Sequence, residues 1–344
     1  MNALDRLGHD LGAALRIAWF AGQYALSVRR TGPLTMPGEA PFKPSVPLPD
    51  REQMRASMGR LVAQDRADCE AGWLIDPVTT WPDFEDVVGT MRRYFADLDL
   101  VDQRRKARGK AEVDHPQRRK RYPRYYLQNF HYQTDGYLSK DSAAVYDWQV
   151  ETLFSGTAQM MRRQGLVPIA RHFAHRDQRS ARLIEIGCGT GSFLTEAAAA
   201  WPRLELTGID LSRPYLELAR KRLQSPRRRH LIEAAGEALP IASASQDVAS
   251  AIYLFHELPP KARIAVASEM ARIKKPDGLV VIVDSLQRGD APEFDGLLEV
   301  FPVGFHEPYF ASWTELDTSG LFGRFGLKLL ETRFAYLSKV LVFG

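Results

Sequence analysis

The sequence predicts an α/β protein: a doubly wound, mostly parallel sheet closed by a terminal antiparallel hairpin and preceded by a mainly helical N-terminal extension. From Ala181 onward, short apolar runs alternate with helical patterns, as a sheet built from right-handed βα crossovers requires. The first run, Leu183, Ile184 and Ile186, passes directly into Gly187, Gly189 and Gly191, and then into a helical pattern from Phe193 to Ala200. The second run, Leu204 to Ile209, ends in Asp210, which places a carboxylate at the tip of the neighbouring strand. A glycine turn of this kind brings a ligand onto bare backbone at a helix N-terminus. A carboxylate at the adjacent strand tip can accept both hydroxyls of a ribose, so a nucleoside-bearing ligand is expected.

The elements follow in chain order. Leu4, Leu7, Leu11, Leu15, Trp19, Gly22 and Leu26 recur at helical spacing, widened by Ile17, Phe20 and Tyr24, which makes residues 1–30 an amphipathic helix. Asp5, Arg6, Asp10 and Arg16 interrupt it, leaving no uncharged span of the roughly 20 residues a bilayer crossing needs. The acidic start and the lack of a leading basic region argue against a signal peptide. Two destinations fit the stripe: the plane of a membrane surface, or a face of the N-terminal domain. Residues 31–49, rich in proline and glycine, read as a linker. Residues 50–175 read as a helical domain with an aromatic lid. Within it, 50–75 is one helix, 76–83 with Pro77 and Pro82 a break, and 84–98 a second helix. The basic run 104–124 holds most of the positive excess and reads as a solvated loop, with an anionic lipid surface or RNA as the other readings. An aromatic stretch follows from Tyr122 to Tyr137, and Ser139 to Asp141 caps a helix expected to run through about Arg163. Residues 176–344 form the sheet domain. Its strands are expected near 182–186, 205–210, 230–234, 247–254 and 278–284, with the hairpin between Leu327 and Phe343. Gly289 to Phe325 is an insertion before that hairpin.

Composition bounds the setting. A chain of 344 residues with 45% hydrophobic content has ample material for a buried core. Two cysteines, Cys69 and Cys188, make no disulfide framework, and a reducing cytoplasm is expected, with attachment to the cytoplasmic face of a membrane as the peripheral alternative.

The glycine spacing narrows the ligand. The dinucleotide fingerprint G-x-G-x-x-G/A would put its third small residue at Ser192, whereas the observed pattern is Glu185-x-Gly187-x-Gly189-x-Gly191. This resembles the first motif of the class I S-adenosylmethionine-dependent methyltransferases. The segments Asp210–Arg220, Gly236–Pro240, Asp247–Leu258 and Glu269–Asp284 resemble that family's later segments in order and spacing. The resemblance covers roughly residues 180–344 and is nearest in flavour to the ubiquinone/menaquinone-biosynthesis type that modifies small molecules. It implies a Rossmann-like methyltransferase sheet and S-adenosyl-L-methionine as cofactor. By the same resemblance Glu185, Gly187, Cys188, Gly189 and Gly191 form the methionine-side turn, Asp210 takes the ribose diol, Leu211 lies against the adenine, and Glu237, Ala238 and Tyr253 border it. Ala235 stands where relatives often carry an Asp that reads the adenine amine, so Glu237 or bare backbone must do that reading.

Methyl transfer from a sulfonium is an in-line displacement that asks the protein chiefly to position donor and acceptor, and to remove a proton from a poorly acidic acceptor. His256 and Glu257 follow the fourth strand, where the sheet's carboxyl edge faces the methyl. His256 is the candidate base, with an ordinary pKa near about 6.5, or else a cap and pocket-shaping residue. His131 and Tyr132, with Tyr126, in the aromatic stretch, and His306 and Tyr309 in the insertion, are candidate substrate contacts. The aromatic stretch is either a lid that also suits a sulfonium, or packing between the N-terminal helices and the sheet. The paired His-Glu dipeptides show no metal-ligand spacing of a known type, and no metal is expected. The expected partner is a small, apolar or lipid-like acceptor, with an anionic membrane surface as a second contact. Nucleic acid is disfavoured, because the fourth strand lacks both the Asn/Asp-Pro-Pro-aromatic motif and a nucleophilic cysteine. An S-adenosylmethionine-binding protein without catalysis and an RNA methyltransferase are the rival readings.

Overall fold

The computed structural model describes residues 1–31, 42–76, 84–107, 113–223 and 228–344. At its centre seven strands lie in the order β3-β2-β1-β4-β5-β7-β6. They are β1 (Arg182–Ile186), β2 (Glu205–Asp210), β3 (Arg229–Glu233), β4 (Gln246–Ile252), β5 (Lys274–Ser285), β6 (Leu329–Ala335) and β7 (Ser338–Phe343). β1 to β5 pair in parallel, while β7 runs antiparallel between β5 and β6. The strand order reverses between β1 and β4, so a crevice opens beyond their carboxyl ends, the place where sheets of this kind bind ligands.

Strand side chains alternate between two cores. Leu183, Leu206, Val248 and Val281 face one side, and Ile184, Ile186, Ala249 and Ile282 the other. Helices cover both faces, which explains why β4 is buried at every position, its polar Gln246, Asp247 and Ser250 included. The helices are α1 (Ala3–Thr31), α2 (Arg51–Glu70), α3 (Phe84–Lys106), α4 (Pro116–Arg119), α5 (Lys140–Leu153), α6 (Ala158–Arg163) and α7 (Leu166–Phe173) in the N-terminal part. In the sheet domain they are α8 (Ser192–Ala200), α9 (Arg213–Leu223), α10 (Pro260–Ile273), α11 (Asp295–Phe305), α12 (Phe310–Thr314) and α13 (Thr318–Gly323).

The strand boundaries expected from sequence agree with the structure to within a few residues, and the hairpin is present. Several helical expectations need correction. The helix expected from Ser139 to about Arg163 is two helices. Ser139 does cap α5, accepting the Ser142 N–H at 3.1 Å, but the chain breaks at Ser155 and Gly156, with φ of 49° and 80°. The cause is tertiary: α1 crosses here, and a Cβ on Gly156 would lie 2.8 Å from the Arg16 carbonyl oxygen. Arg16 secures the crossing through Gly156 O at 3.2 Å and Glu151 at 3.0 Å. The helix expected over 50–75 ends at Glu70, where Gly72 (φ 77°) turns the chain. The next helix outlasts its apolar pattern and reaches Lys106, tied by polar contacts such as Arg30 to Asp99 at 2.7 and 2.6 Å.

The N-terminal helix packs on the protein by one face. Its buried face is His9, Ala13, Phe20, Gln23 and Ser27, with Phe20 packed edge-on to Trp148 at 5.0 Å. Most of the apolar stripe points elsewhere: Leu4, Leu7, Leu11, Leu15 and Leu26 are all at least half exposed. Among the described residues no helix is long and apolar enough to cross a membrane. Residues 32–41 of the linker, 77–83 of the break and 108–112 of the basic run lie outside the described residues. In the described part of the basic run, Arg119 pairs with Asp114 at 2.6 Å and Arg121 pairs with Glu233.

Candidate active site

At the switch point Asp210 closes β2, and both its oxygens are engaged. Oδ2 accepts the Gly189 N–H at 2.8 Å and Oδ1 accepts the Ser212 N–H at 2.7 Å. Burial pushes its carboxyl up to about 6, against the pull of those donors. The turn above it needs glycine for different reasons at different places. A Cβ on Gly187 would lie 2.9 Å from Leu254 Cδ1 and one on Gly191 would lie 2.9 Å from Ala219 Cβ. Gly189 has open space, with Tyr215 no nearer than 3.9 Å, and needs glycine for its φ of 52°.

A cavity of about 100 Å³ lies over this turn, bordered by Gly187, Gly189, Asp210, Leu211, Glu237, Tyr253 and Glu257. Tyr253 contributes an edge only, because its hydroxyl meets Ser338 Oγ on β7 at 2.8 Å. Glu237 accepts the Tyr125 hydroxyl at 2.5 Å, so it is positioned on the side where Ala235 offers no carboxylate. Glu185, Cys188, Gly191 and Ala238, also expected at the cofactor, do not line this cavity. Glu185 and Cys188 are buried in the core, and burial pushes both the carboxyl and the thiol well above their usual ranges. Gly191 serves the packing of α8 on α9. A larger cavity of about 390 Å³, lined in part by Arg16, Trp19, Trp148 and Arg162, reaches the start of α8 at Ser192 but includes none of Gly187, Asp210 or Glu257.

The roof is aromatic. Tyr126, Phe130 and Tyr137 from the stretch before α5 line the cavity together with Tyr146 and Tyr215. Tyr137 stacks on Phe130 at 5.8 Å and meets Tyr215 edge-on at 5.7 Å. A polar clamp holds this roof on α9: Gln133 Nε2 donates to Tyr215 Oη at 2.6 Å, and Ser142 Oγ donates to the Gly136 carbonyl at 2.5 Å. The stretch is therefore both lid and packing. Below it, Asp147 of α5 accepts Thr190 and Ser192 at 2.9 Å each and Arg222 at 2.5 Å, tying α5 to the glycine turn.

At the far end of the cavity a charged cluster gathers. His256 Nδ1 lies 2.6 Å from Asp284 Oδ1, and Asp284 also accepts the Phe255 N–H at 2.9 Å and the Ser285 N–H at 2.7 Å. Burial works to lower the His256 pKa, but Asp284, Glu307 and Glu257 outweigh it and raise it to about 9, not the ordinary value expected from sequence. Glu257 lines the cavity, whereas His256 stands beside it. Burial, then Glu307, pushes the Glu257 carboxyl up to about 7, and Tyr137 Oη donates to it at 2.6 Å. His131, at φ 54°, brings Nε2 to 2.9 Å from Glu307 Oε1.

Among the expected substrate contacts, then, Tyr126 and His131 join the site. His306 caps α11 in the left-handed region, its ring 5.5 Å from Tyr132, and it is Glu307, the next residue, that enters the cluster. Tyr309 is half-buried and its carbonyl accepts Arg263 at 2.7 Å, a structural role. Asp284, Glu307, Tyr146 and Tyr215 carry no site assignment from sequence. Asp284 was within reach: parallel pairing of Ile252 with Val283 places it beside the turn that bears His256.

The pocket suits an adenosyl sulfonium. Asp210 offers a ribose acceptor, Cβ atoms at Gly187 or Gly236 would fill the floor (Gly236 at 2.8 Å from Ile186 Cγ2), and the aromatic roof suits a cation. Comparison with known proteins agrees. Residues 183–278 match the family described as methyltransferase domain. A ubiquinone/menaquinone biosynthesis C-methyltransferase of Syntrophotalea carbinolica is 33% identical over 109 residues, 31% of this chain and 45% of that protein. A phosphatidylethanolamine N-methyltransferase of Cereibacter sphaeroides is 32% identical over 128 residues, 36% of this chain and 61% of that protein. The chain thus spans less than two thirds of either relative. Among solved structures, one of a putative O-methyltransferase from Nostoc punctiforme matches with a TM-score of 0.47 and 15% identity over 59% of each chain.

Proposed function

We propose that this chain is a class I S-adenosylmethionine-dependent methyltransferase with S-adenosylmethionine as cofactor, a reading supported by the match of residues 183–278 to a methyltransferase domain, and that it methylates a small, apolar or lipid-like acceptor. The observation that carries the reading is the closed aromatic roof of Tyr126, Phe130 and Tyr137 over a ribose-binding carboxylate, with a proton-handling cluster at its far end. Relatives named for quinone and phosphatidylethanolamine methylation support an acceptor of this kind. When bound, S-adenosylmethionine supplies a methyl on a sulfonium whose bonding pair stays with sulfur as the acceptor's lone pair forms the new bond. The chain's own work is to bind, orient and deprotonate. Asp210 would hold the ribose and the Gly187–Gly189 backbone the methionine moiety, and the tyrosine roof excludes water. His256 takes the acceptor's proton at Nε2, its ring set by the Nδ1 contact to Asp284. The neighbouring acids raise its pKa to about 9, so the free imidazole that can take this proton grows as the pH climbs towards that value, and turnover should rise with pH over the same range.

His256→Ala should lower turnover by about 10²–10⁴-fold and leave binding of S-adenosylhomocysteine nearly unchanged in calorimetry. Full turnover in that variant removes the base, and recovery in His256→Gln assigns positioning instead. Binding without turnover on quinol, phenol and aminolipid acceptors favours a non-catalytic binding protein.

The exposed leucines of α1 support a second contact, an anionic membrane surface. The helix is fastened to the protein by its other face, and the stripe left outside is what an in-plane helix presents to lipid. A lipid-like acceptor and surface attachment are mutually consistent.

A further inference from the structure

Three side chains from distant segments meet at the acceptor end of the cavity. His131 comes from the aromatic roof, Glu257 from the turn after β4, and Glu307 from the loop after α11. One ligating atom from each lies within 4.8 Å of the other two. Glu307 is 2% exposed, and although His131 Nε2 stands 2.9 Å from Oε1, neither Glu307 oxygen has an aligned hydrogen-bond donor among the described residues. A buried carboxylate without donors is costly, and a second carboxylate beside it adds repulsion unless a proton or a cation sits between them.

We propose that His131 Nε2 and the carboxylates of Glu257 and Glu307 bind a divalent transition-metal cation. One imidazole and two carboxylates form a mixed nitrogen–oxygen set suited to zinc or manganese, and two negative charges neutralise the dication. Three protein ligands leave a coordination position open. Because Glu257 also lines the cofactor cavity, the site borders the space where an acceptor would lie. A cation there holds and polarises an acceptor oxygen. The sequence hides the site because its ligands follow no short spacing; only the fold of the roof over the sheet edge assembles them.

A second cluster with the same reach supplies the contrast. His9, Asp65 and Cys69 also have ligating atoms within 4.8 Å. There Asp65 is satisfied: His9 Nε2 lies at 3.0 Å, Gln164 Nε2 at 3.2 Å, and the Arg163 guanidinium at 3.2 Å provides the positive charge. Nothing in that cluster calls for a metal.

The inference stands on the ligands and not on methyl transfer, so it is tested by metal content. The full chain, stripped with chelator and dialysed against zinc or manganese, should retain about one equivalent by mass spectrometry of the metal and show a raised Tm, with magnesium much less effective. His131→Gln and Glu307→Gln should each weaken retention about tenfold or more while still binding S-adenosylhomocysteine, and Cys69→Ser should change nothing. Cobalt(II) added to the parent should give a visible ligand-field band without thiolate charge transfer, a readout that needs no variant. No uptake by the parent, a thiolate band, or retention that survives both ligand substitutions overturns the site. Loss of homocysteine-product binding in the parent would count against the methyltransferase reading and leave the metal result to stand by itself.

Discussion

Asp210 concentrates the chemistry that a single residue can report. Its carboxyl sits in the cofactor cavity with both oxygens already accepting backbone N–H groups, and burial lifts its pKa to about 6. Asp210→Ala should weaken S-adenosylhomocysteine binding by about 1–3 kcal/mol, because two ribose hydroxyls lose their acceptor. The pH dependence has a definite sign. The ionised carboxylate is the better acceptor, so affinity should be highest above the raised pKa and fall as the pH drops through about 6. Calorimetry between mildly acidic and neutral pH checks this, and affinity independent of pH would detach Asp210 from the ribose. This residue was legible in the sequence because it follows an apolar run at fixed distance from a glycine turn, a relation that is local in the chain. Glu307 was not, since only the roof brings it near His131, and Asp284 was reachable only through the pairing of β4 with β5. At the residue scale the sequence signals contacts along the chain and is silent on contacts across it.

The elements show the same division. Strands β1, β2, β4 and β5 could be read from their apolar runs, because burial on both faces favours apolar side chains along their central residues. The break between α5 and α6 could not, because its cause is the Arg16 carbonyl pressing on Gly156 from another helix. The docking of α1 on α2 was equally hidden: beside the pairs Arg6–Glu70 and Asp10–Arg66 and the packing of Ala13 with Leu61, His9 Nε2 lies 3.0 Å from Asp65 Oδ2 in its buried part. That contact, followed by one with Cys69, raises His9 to about 10 despite the opposing effect of burial. A histidine whose folded pKa is raised contributes stability that is complete below its unfolded pKa of roughly 6.5 and is lost as the pH climbs through the folded value. The Tm advantage of the parent over His9→Gln should therefore be full near pH 6 and shrink steadily towards pH 10. An advantage that is constant across this range would show that His9 contributes packing alone. The comparison between two proteins cancels the other groups that titrate in the same window.

For the whole molecule the question is how an acceptor of the proposed apolar kind would reach the cavity, and α1 bears on it. The helix is two-faced. Phe20, Ala13 and Ser27 join it to the protein, while Leu4 is 78% and Leu15 is 64% exposed. Removing residues 1–30 would confound the two faces, because it would also uncover Trp148 and its neighbours and lower stability for reasons unrelated to lipid. Replacing Leu4, Leu7, Leu11 and Leu15 by Gln separates them, since these side chains are outside the core. The parent should float with anionic phospholipid vesicles, and the variant should remain largely in solution. Burying even half of each leucine is worth on the order of 1 kcal/mol, so four together control partitioning. Tm and S-adenosylhomocysteine affinity should be the same in both. High salt should weaken flotation of the parent only in part, because the leucines act independently of the nearby arginines. Equal flotation of the two proteins would remove α1 from the membrane account. Resistance of the parent to both salt and alkali would point to insertion deeper than an in-plane helix reaches. If the variant also loses turnover on a lipid acceptor in vesicles but keeps it on a water-soluble analogue, the helix serves to bring the cavity to its substrate, and the two proposals become one mechanism.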